Sequence, residues 1–148
     1  MKYEGIAGES SVQGKEGYME LLSCTWGASR SDAASSSGLS GKKVAAVSDV
    51  SISRAVDSAS AMLFNEALAG NFSRTVKIAF SQTGTSGPQD FMELELTNCG
   101  ISSYQVSSGG NGAMEAMTLS FRQIQMTSHK VGDDLNATPN TAQYSLDN

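Results

Sequence analysis

Phe91-Met92-Glu93-Leu94-Glu95-Leu96-Thr97 alternates apolar and charged residues without a break. Successive side chains of an extended chain point to opposite faces, so this period of two places Met92, Leu94 and Leu96 on a core face and Glu93 and Glu95 on the other. Downstream, Gly100 separates it from a second strand over 101–106, and Ser107-Ser108-Gly109-Gly110-Asn111-Gly112 reads as a hairpin connection into a strand over 114–126. In that last run Met117, Leu119 and Phe121 fall on odd positions, whereas Ile124 and Met126 fall on even ones. A phase change near Arg122 or Gln123 predicts a bulge or corner, as where a strand bends around a barrel. Upstream, Val76, Ile78 and Phe80 alternate with Thr75, Lys77 and Ala79, which predicts a further strand over 75–81.

Before that strand the period changes to helical. Ala59, Met62, Leu63 and Ala67 share one stripe, Asp57 or Ser58 can cap its start, and Gly70-Asn71 stops it, so one short helix is predicted over about 58–69. Val44, Val50 and Ile52 give 43–56 strand character. In 17–26, Tyr18, Leu22, Cys24 and Trp26 take one face and Met19 and Leu21 the other, predicting a strand covered on both sides. Between them, 27–41 is serine-rich and aperiodic and reads as an extended surface loop, a length usually kept for function. The polar stretch 129–148, with Pro139, can supply an edge segment or an arm.

The chain of 148 residues fits a single domain, 1–148, and its 39% hydrophobic and 17% charged composition is globular. A net charge of -5 has the wrong sign for tracking a phosphate backbone, so nucleic acid is not expected as a partner. No run of eighteen apolar residues predicts membrane insertion, and Met1-Lys2-Tyr3-Glu4-Gly5 has no apolar block behind it, so no secretory signal is expected. Cys24 and Cys99 have no Cys/His cluster around them, which argues against a structural zinc site; a disulfide between them is possible on sequence arithmetic, but the reducing compartment expected of a signal-free chain favours two buried small hydrophobes. His129, the one histidine, starts the polar tail with nothing to orient it as a base. Glu93 and Glu95, about 7 Å apart by strand rise, could be spaced for an inverting glycosidase, but two glutamates on a solvated strand face are the commoner arrangement. Gly109, Gly110 and Gly112 precede a strand, not the helix N-terminus that a phosphate loop requires. No catalytic, cofactor or metal residues are therefore expected.

Several segments taken in order resemble the haemolysin-coregulated proteins (Hcp) of the bacterial type VI secretion system. They are Gly8-Glu9-Ser10; Gly17-Tyr18-Met19-Glu20-Leu21-Leu22-Ser23-Cys24-Thr25-Trp26-Gly27; Asp57 with Ser60, Leu63, Leu68 and Gly70; and Glu115 through Met117, Leu119, Phe121 and Ile124. The resemblance implies a mainly β fold, a two-sheet β-barrel with one short flanking helix. It further implies homohexameric rings that stack into a hollow tube, without catalysis, in company with spike, sheath and effector proteins. Such a subunit assembles in the cytoplasm and is then secreted without a signal peptide. By the same resemblance the 27–41 loop carries inter-ring contacts, with Arg30, Ser31, Asp32 and Leu39 as candidates. Thr118, Ser120 and Arg122, opposite the core face of the last strand, are the candidate lumen residues. A ring that is chiefly an effector carrier, and a small secreted hydrolase, are the alternatives.

Overall fold

In the computed structural model, residues 1–31, 44–84, 87–110, 112–130 and 139–146 are described. Among the described residues, ten strands and one helix follow in the order β1 (Lys2–Tyr3), β2 (Ser23–Thr25), β3 (Ala28–Ser31), β4 (Val44–Val47), β5 (Val50–Ala55), α1 (Ser60–Ala69), β6 (Arg74–Gly84), β7 (Gly87–Gly109), β8 (Gly112–Ser120), β9 (Gln123–Ser128) and β10 (Asn140–Ser145). The fold is mainly β, with two sheets that share one strand. Sheet A runs β1-β6-β7-β9-β10 and uses the first half of β7, where Leu94 faces Ile78 on one side and Met126 on the other. Sheet B runs β7-β8-β5-β2 and uses the second half, where Tyr104 faces Met117 and Met117 faces Ile52.

The period-two patterns explain the core. Val76, Ile78, Leu94 and Leu96 of sheet A meet Val50, Ile52, Met117 and Leu119 of sheet B, all of them buried. Each such side chain contributes about 1.5–3 kcal/mol relative to exposure. The predicted phase change is a real break: β8 ends at Ser120, β9 starts at Gln123, and both Phe121 and Ile124 remain buried.

Gly100 does not separate two strands. The chain passes straight through it as β7, 23 residues long, and bends from one sheet to the other. Asn98 takes a left-handed φ of 50° at this corner, and register shifts flank it between Arg74 and Val76 and between Ile101 and Ser103. Glycine is needed at position 100 because a Cβ there would run into the Asn71 carbonyl oxygen and lie 2.7 Å from the Phe72 ring.

The strand expected over 17–26 is shorter, only β2, and it is not covered on both sides. Met19 is buried, but Leu22 is 63% exposed, because β2 is the last strand of sheet B and nothing pairs its outer edge among the described residues. The expected 43–56 strand is two, β4 and β5. The 27–41 stretch begins as β3, which pairs with β4 in a separate two-stranded ribbon, Arg30 opposite Ala45.

The helix starts at Ser60. Its N-cap position is Ala59, without a side-chain cap; Asp57 braces the turn before it instead, its carboxylate accepting from the Ala59 amide at 2.9 Å while its own amide donates to Ser60 Oγ at 3.0 Å. Gly70, at φ 61°, ends it, and Glu66 in the last turn binds Arg74 of β6 at 2.5 Å. Ala59 and Leu63 are buried, but Met62 of the expected stripe is 51% exposed. The polar stretch 129–148 supplies β10, an edge strand on β9 with Ala142 opposite Met126.

Candidate functional site

Sheet B buries one face and presents the other. On the presented face lie Ser23 and Thr25 of β2, Ser51 and Ser53 of β5, Ala116, Thr118 and Ser120 of β8, and Ser103 and Gln105 of β7. Among the described residues, no strand position on this face is charged. Hydroxyls tie the strands across it: Ser23 Oγ to Ser53 Oγ at 2.6 Å and Ser103 Oγ to Thr118 Oγ1 at 2.9 Å. Ser120 Oγ donates to the Asp49 carboxylate at 2.6 Å on the rim. The outer face of sheet A differs, since Lys77 pairs there with Glu95 at 2.7 Å beside Glu93. The Glu95 hydrogen bond also raises the Lys77 pKa. Glu95 is thus an ion-pair partner in a surface ladder.

Thr118 and Ser120 sit opposite Met117 and Leu119, as period two requires, and half-buried. Arg122 falls past the end of β8, exposed at the break, where its amide donates to the Thr97 carbonyl at 3.2 Å and its carbonyl accepts from Leu146 at 2.7 Å. It is not brought into the β8 row. Of the four candidate inter-ring residues, Arg30 is exposed on β3 and Ser31 ends that strand, while Asp32 and Leu39 lie outside the described residues.

Hydrogen bonds between its two legs close the ribbon at its base, and among the described residues one further hydrogen bond ties it to the body. At the base, the Gly27 amide donates to Ser48 Oγ and the Ser48 amide to the Gly27 carbonyl, both at 2.9 Å. Beyond it, the Tyr144 hydroxyl of β10 donates to the Ala45 carbonyl at 2.6 Å.

Sequence reasoning missed a buried ionic cluster beneath the helix. Arg54 of β5 and Glu115 of β8 are directly paired in register, inside the molecule, with Arg54 Nη1 to Glu115 Oε1 at 2.7 Å and side-chain exposures of 2% and 0%. Arg54 also pairs with Asp57, in the turn before the helix, and Tyr104 of β7 donates to the second Glu115 oxygen. Burial, then the Glu115 hydrogen bond, push the Tyr104 pKa up to about 12, so this hydroxyl keeps its proton. The cluster ties three strands of sheet B, β5, β8 and β7, to the turn before the helix. A signal existed in the sequence: Arg54 occupies a core-phase position after Val50 and Ile52, and Glu115 one before Met117.

Other reactive groups are quiescent. Cys99 is buried, which pushes its thiol up to about 12, and burial also raises half-buried Cys24; both are free thiols. His129 is exposed, its amide donating to Phe91. Among the described residues no group of three or more His, Cys, Asp and Glu could hold a metal ion, and no helix is long and apolar enough to cross a membrane.

A family model described as "Type VI secretion system effector, Hcp" matches residues 1–128. Among solved structures, a type six secretion system protein superposes with a TM-score of 0.83 at 22% identity, covering 98% of this chain and 93% of that one. A type VI secretion system effector from Yersinia pestis gives 0.76 at 20% identity, covering 97% and 96%. Hcp1 from Salmonella typhimurium gives 0.76 at 21% identity, covering 98% and 91%. No match was found among curated proteins. With the family model spanning all but the last strand, and these structures sharing the fold over nearly the whole chain, the chain belongs to the Hcp family of type VI secretion proteins.

Proposed function

We propose that the chain is a structural tube subunit: six copies close into a ring, rings stack into a hollow tube, and the tube leaves the cell carrying effector proteins. The observation that carries this reading is the neutral, hydroxyl-covered face of sheet B, flanked by the open edge strand β2. An unpaired edge is a liability in a monomer and a joint in a ring, where one heterologous contact repeats until it closes. The neutral face, with Thr118 within it and Ser120 and Arg122 at its rim, would then line the bore. A bore without charged strand positions suits cargo of either sign, which favours effector carriage as a second role of the same surface. The β3–β4 ribbon, with Arg30 and Ser31 and the adjoining Asp32 and Leu39, would contact the next ring. Spike and sheath proteins are the further partners of such a tube.

Solution mass tests the assembly directly. Sedimentation equilibrium at micromolar concentration is expected to give a species of six chains, and a monomer would overturn the ring. Deleting residues 30–40 is expected to leave that mass and the melting temperature nearly unchanged while secretion fails, since long surface segments cost little to alter.

A further inference from the structure

A two-stranded ribbon is at best marginally stable by itself in water. Here each strand has four residues, and Ala28, Ser29, Arg30, Ala45 and Ala46 are all exposed. Val47, next to the base, packs against the core, so apolar contact fixes the root of the ribbon and leaves its direction free. One attachment acts as a hinge; a second attachment further out fixes an angle. Tyr144 supplies that second attachment.

We infer that Tyr144 is a latch by which the carboxy-terminal strand sets the direction of the β3–β4 ribbon. Its ring packs against the core and its hydroxyl reaches Ala45, the residue opposite Arg30. β10 holds the ring in place independently of the hydroxyl. It pairs with β9 over six residues, and the Leu146 amide donates to the Arg122 carbonyl beyond it. The latch comes from residues 140–145, past the 1–128 segment that the family model matches. Chains that differ only in this tail would therefore aim the same ribbon differently. The consequence for ring stacking rests on the reading of the ribbon as the inter-ring surface.

The test is Tyr144→Phe, which keeps the packed ring and removes the donor, with Gln143→Ala, an exposed neighbour on the same strand, as control. Hydrogen exchange is followed in peptides covering 28–31 and 44–47, and separately in sheet B. The inference expects exchange in the ribbon to quicken about two- to fivefold in Tyr144→Phe, as for loss of one neutral hydrogen bond, with sheet B and the control unchanged. Unchanged ribbon exchange would overturn it, as would an equal change in sheet B, which would mark Tyr144 as a general stabiliser. Stacking of rings is read in parallel by sedimentation velocity. Faster ribbon exchange with weakened stacking supports both readings. Faster exchange with normal stacking supports the latch and removes the ribbon from the ring contact.

Discussion

Truncating Glu115 tests the buried cluster most severely. In Glu115→Ala the Arg54 guanidinium, 2% exposed, loses its 2.7 Å carboxylate partner and keeps only Asp57, whose side chain is 17% exposed. Tyr104 loses its acceptor and is left with a 3.4 Å contact to the Ser60 carbonyl. Breaking one side of a buried ion pair costs about 3–5 kcal/mol, mainly because the remaining charge stays out of water. Asp57 still compensates Arg54, so Glu115→Ala belongs at the lower end, about 3 kcal/mol. Arg54→Ala strands a carboxylate that is wholly buried, and belongs nearer 4 kcal/mol. At roughly 2–4 °C per kcal/mol for a chain of this size, the first should lower Tm by about 6–12 °C. The double substitution Arg54→Met with Glu115→Leu removes both charges and fills the space, and should recover to within about 1 kcal/mol of the parent. Urea unfolding at one fixed protein concentration, which holds any subunit association constant, compares the parent, the two single variants and the double variant. A loss below about 1 kcal/mol for Glu115→Ala, or a double variant as unstable as the two single losses added, would refute the argument that stranded charge dominates.

Gly100→Ala should destabilise by about 1–3 kcal/mol, read from the urea midpoint, because the added methyl meets backbone at Asn71 and the Phe72 ring. Ser120→Arg puts a bulky cation on the neutral face; the ring should still form by sedimentation while co-purification of effector with it is lost, and retained cargo would take β8 off the lumen. The Met1 amine is held down to about 5, first by burial and then by Arg54, as it donates to the Met19 carbonyl at 2.6 Å. The unfolded chain therefore binds a proton between about pH 8 and 5 that the folded chain refuses. Its contribution to stability is complete above pH 8 and is lost as pH falls towards 5, by at most about 1.4 kcal/mol per pH unit. Thermal melts across that window check it, with N-terminal acetylation expected to flatten the slope.

Alternation read the strands well where one face is buried and the other wet, as in 75–81 and 91–97, and the helix where Asp57 and a glycine bracket the stripe. It failed where tertiary context overrides local pattern. Gly100 looked like punctuation, but close approach of the Asn71–Phe72 turn, and not chain reversal, demands glycine there. In 17–26 the two apolar faces suggested double cover, yet β2 is an edge, and edges tolerate an exposed Leu22. The ribbon was invisible because Ala28 and Ser29 carry no apolar period; their pairing comes from the join at Gly27 and Ser48. Arg54 and Glu115 read as polar residues although their phase was that of the core, since charge dominates such a reading until the partner across the sheet is known. For the candidate surfaces, phase correctly placed Thr118 and Ser120 opposite the core but could not follow Arg122 past the break.

The shared strand β7 also governs when each part of the chain can first become ordered during synthesis. β6, β7 and β8, residues 74–120, form a meander whose neighbours in sequence are neighbours in the sheets, and β9 then returns to the first half of β7, so each can pair as it emerges. The amino-terminal segments pair only in part: β2 and β3 are made before their partners β5 and β4, but β1 has no strand partner until residues 76 and 77 exist, and the other edge of β5 must wait for β8, about sixty residues later. At about 5–20 residues per second that is a delay of ~3–12 s during which Val50 and Ile52 lack β8 and the strands of sheet A that bury them. The serines that separate these residues, Ser51 and Ser53, interrupt what would otherwise be a sticky β-forming run, so the composition that makes the finished face neutral also protects the nascent chain while it waits.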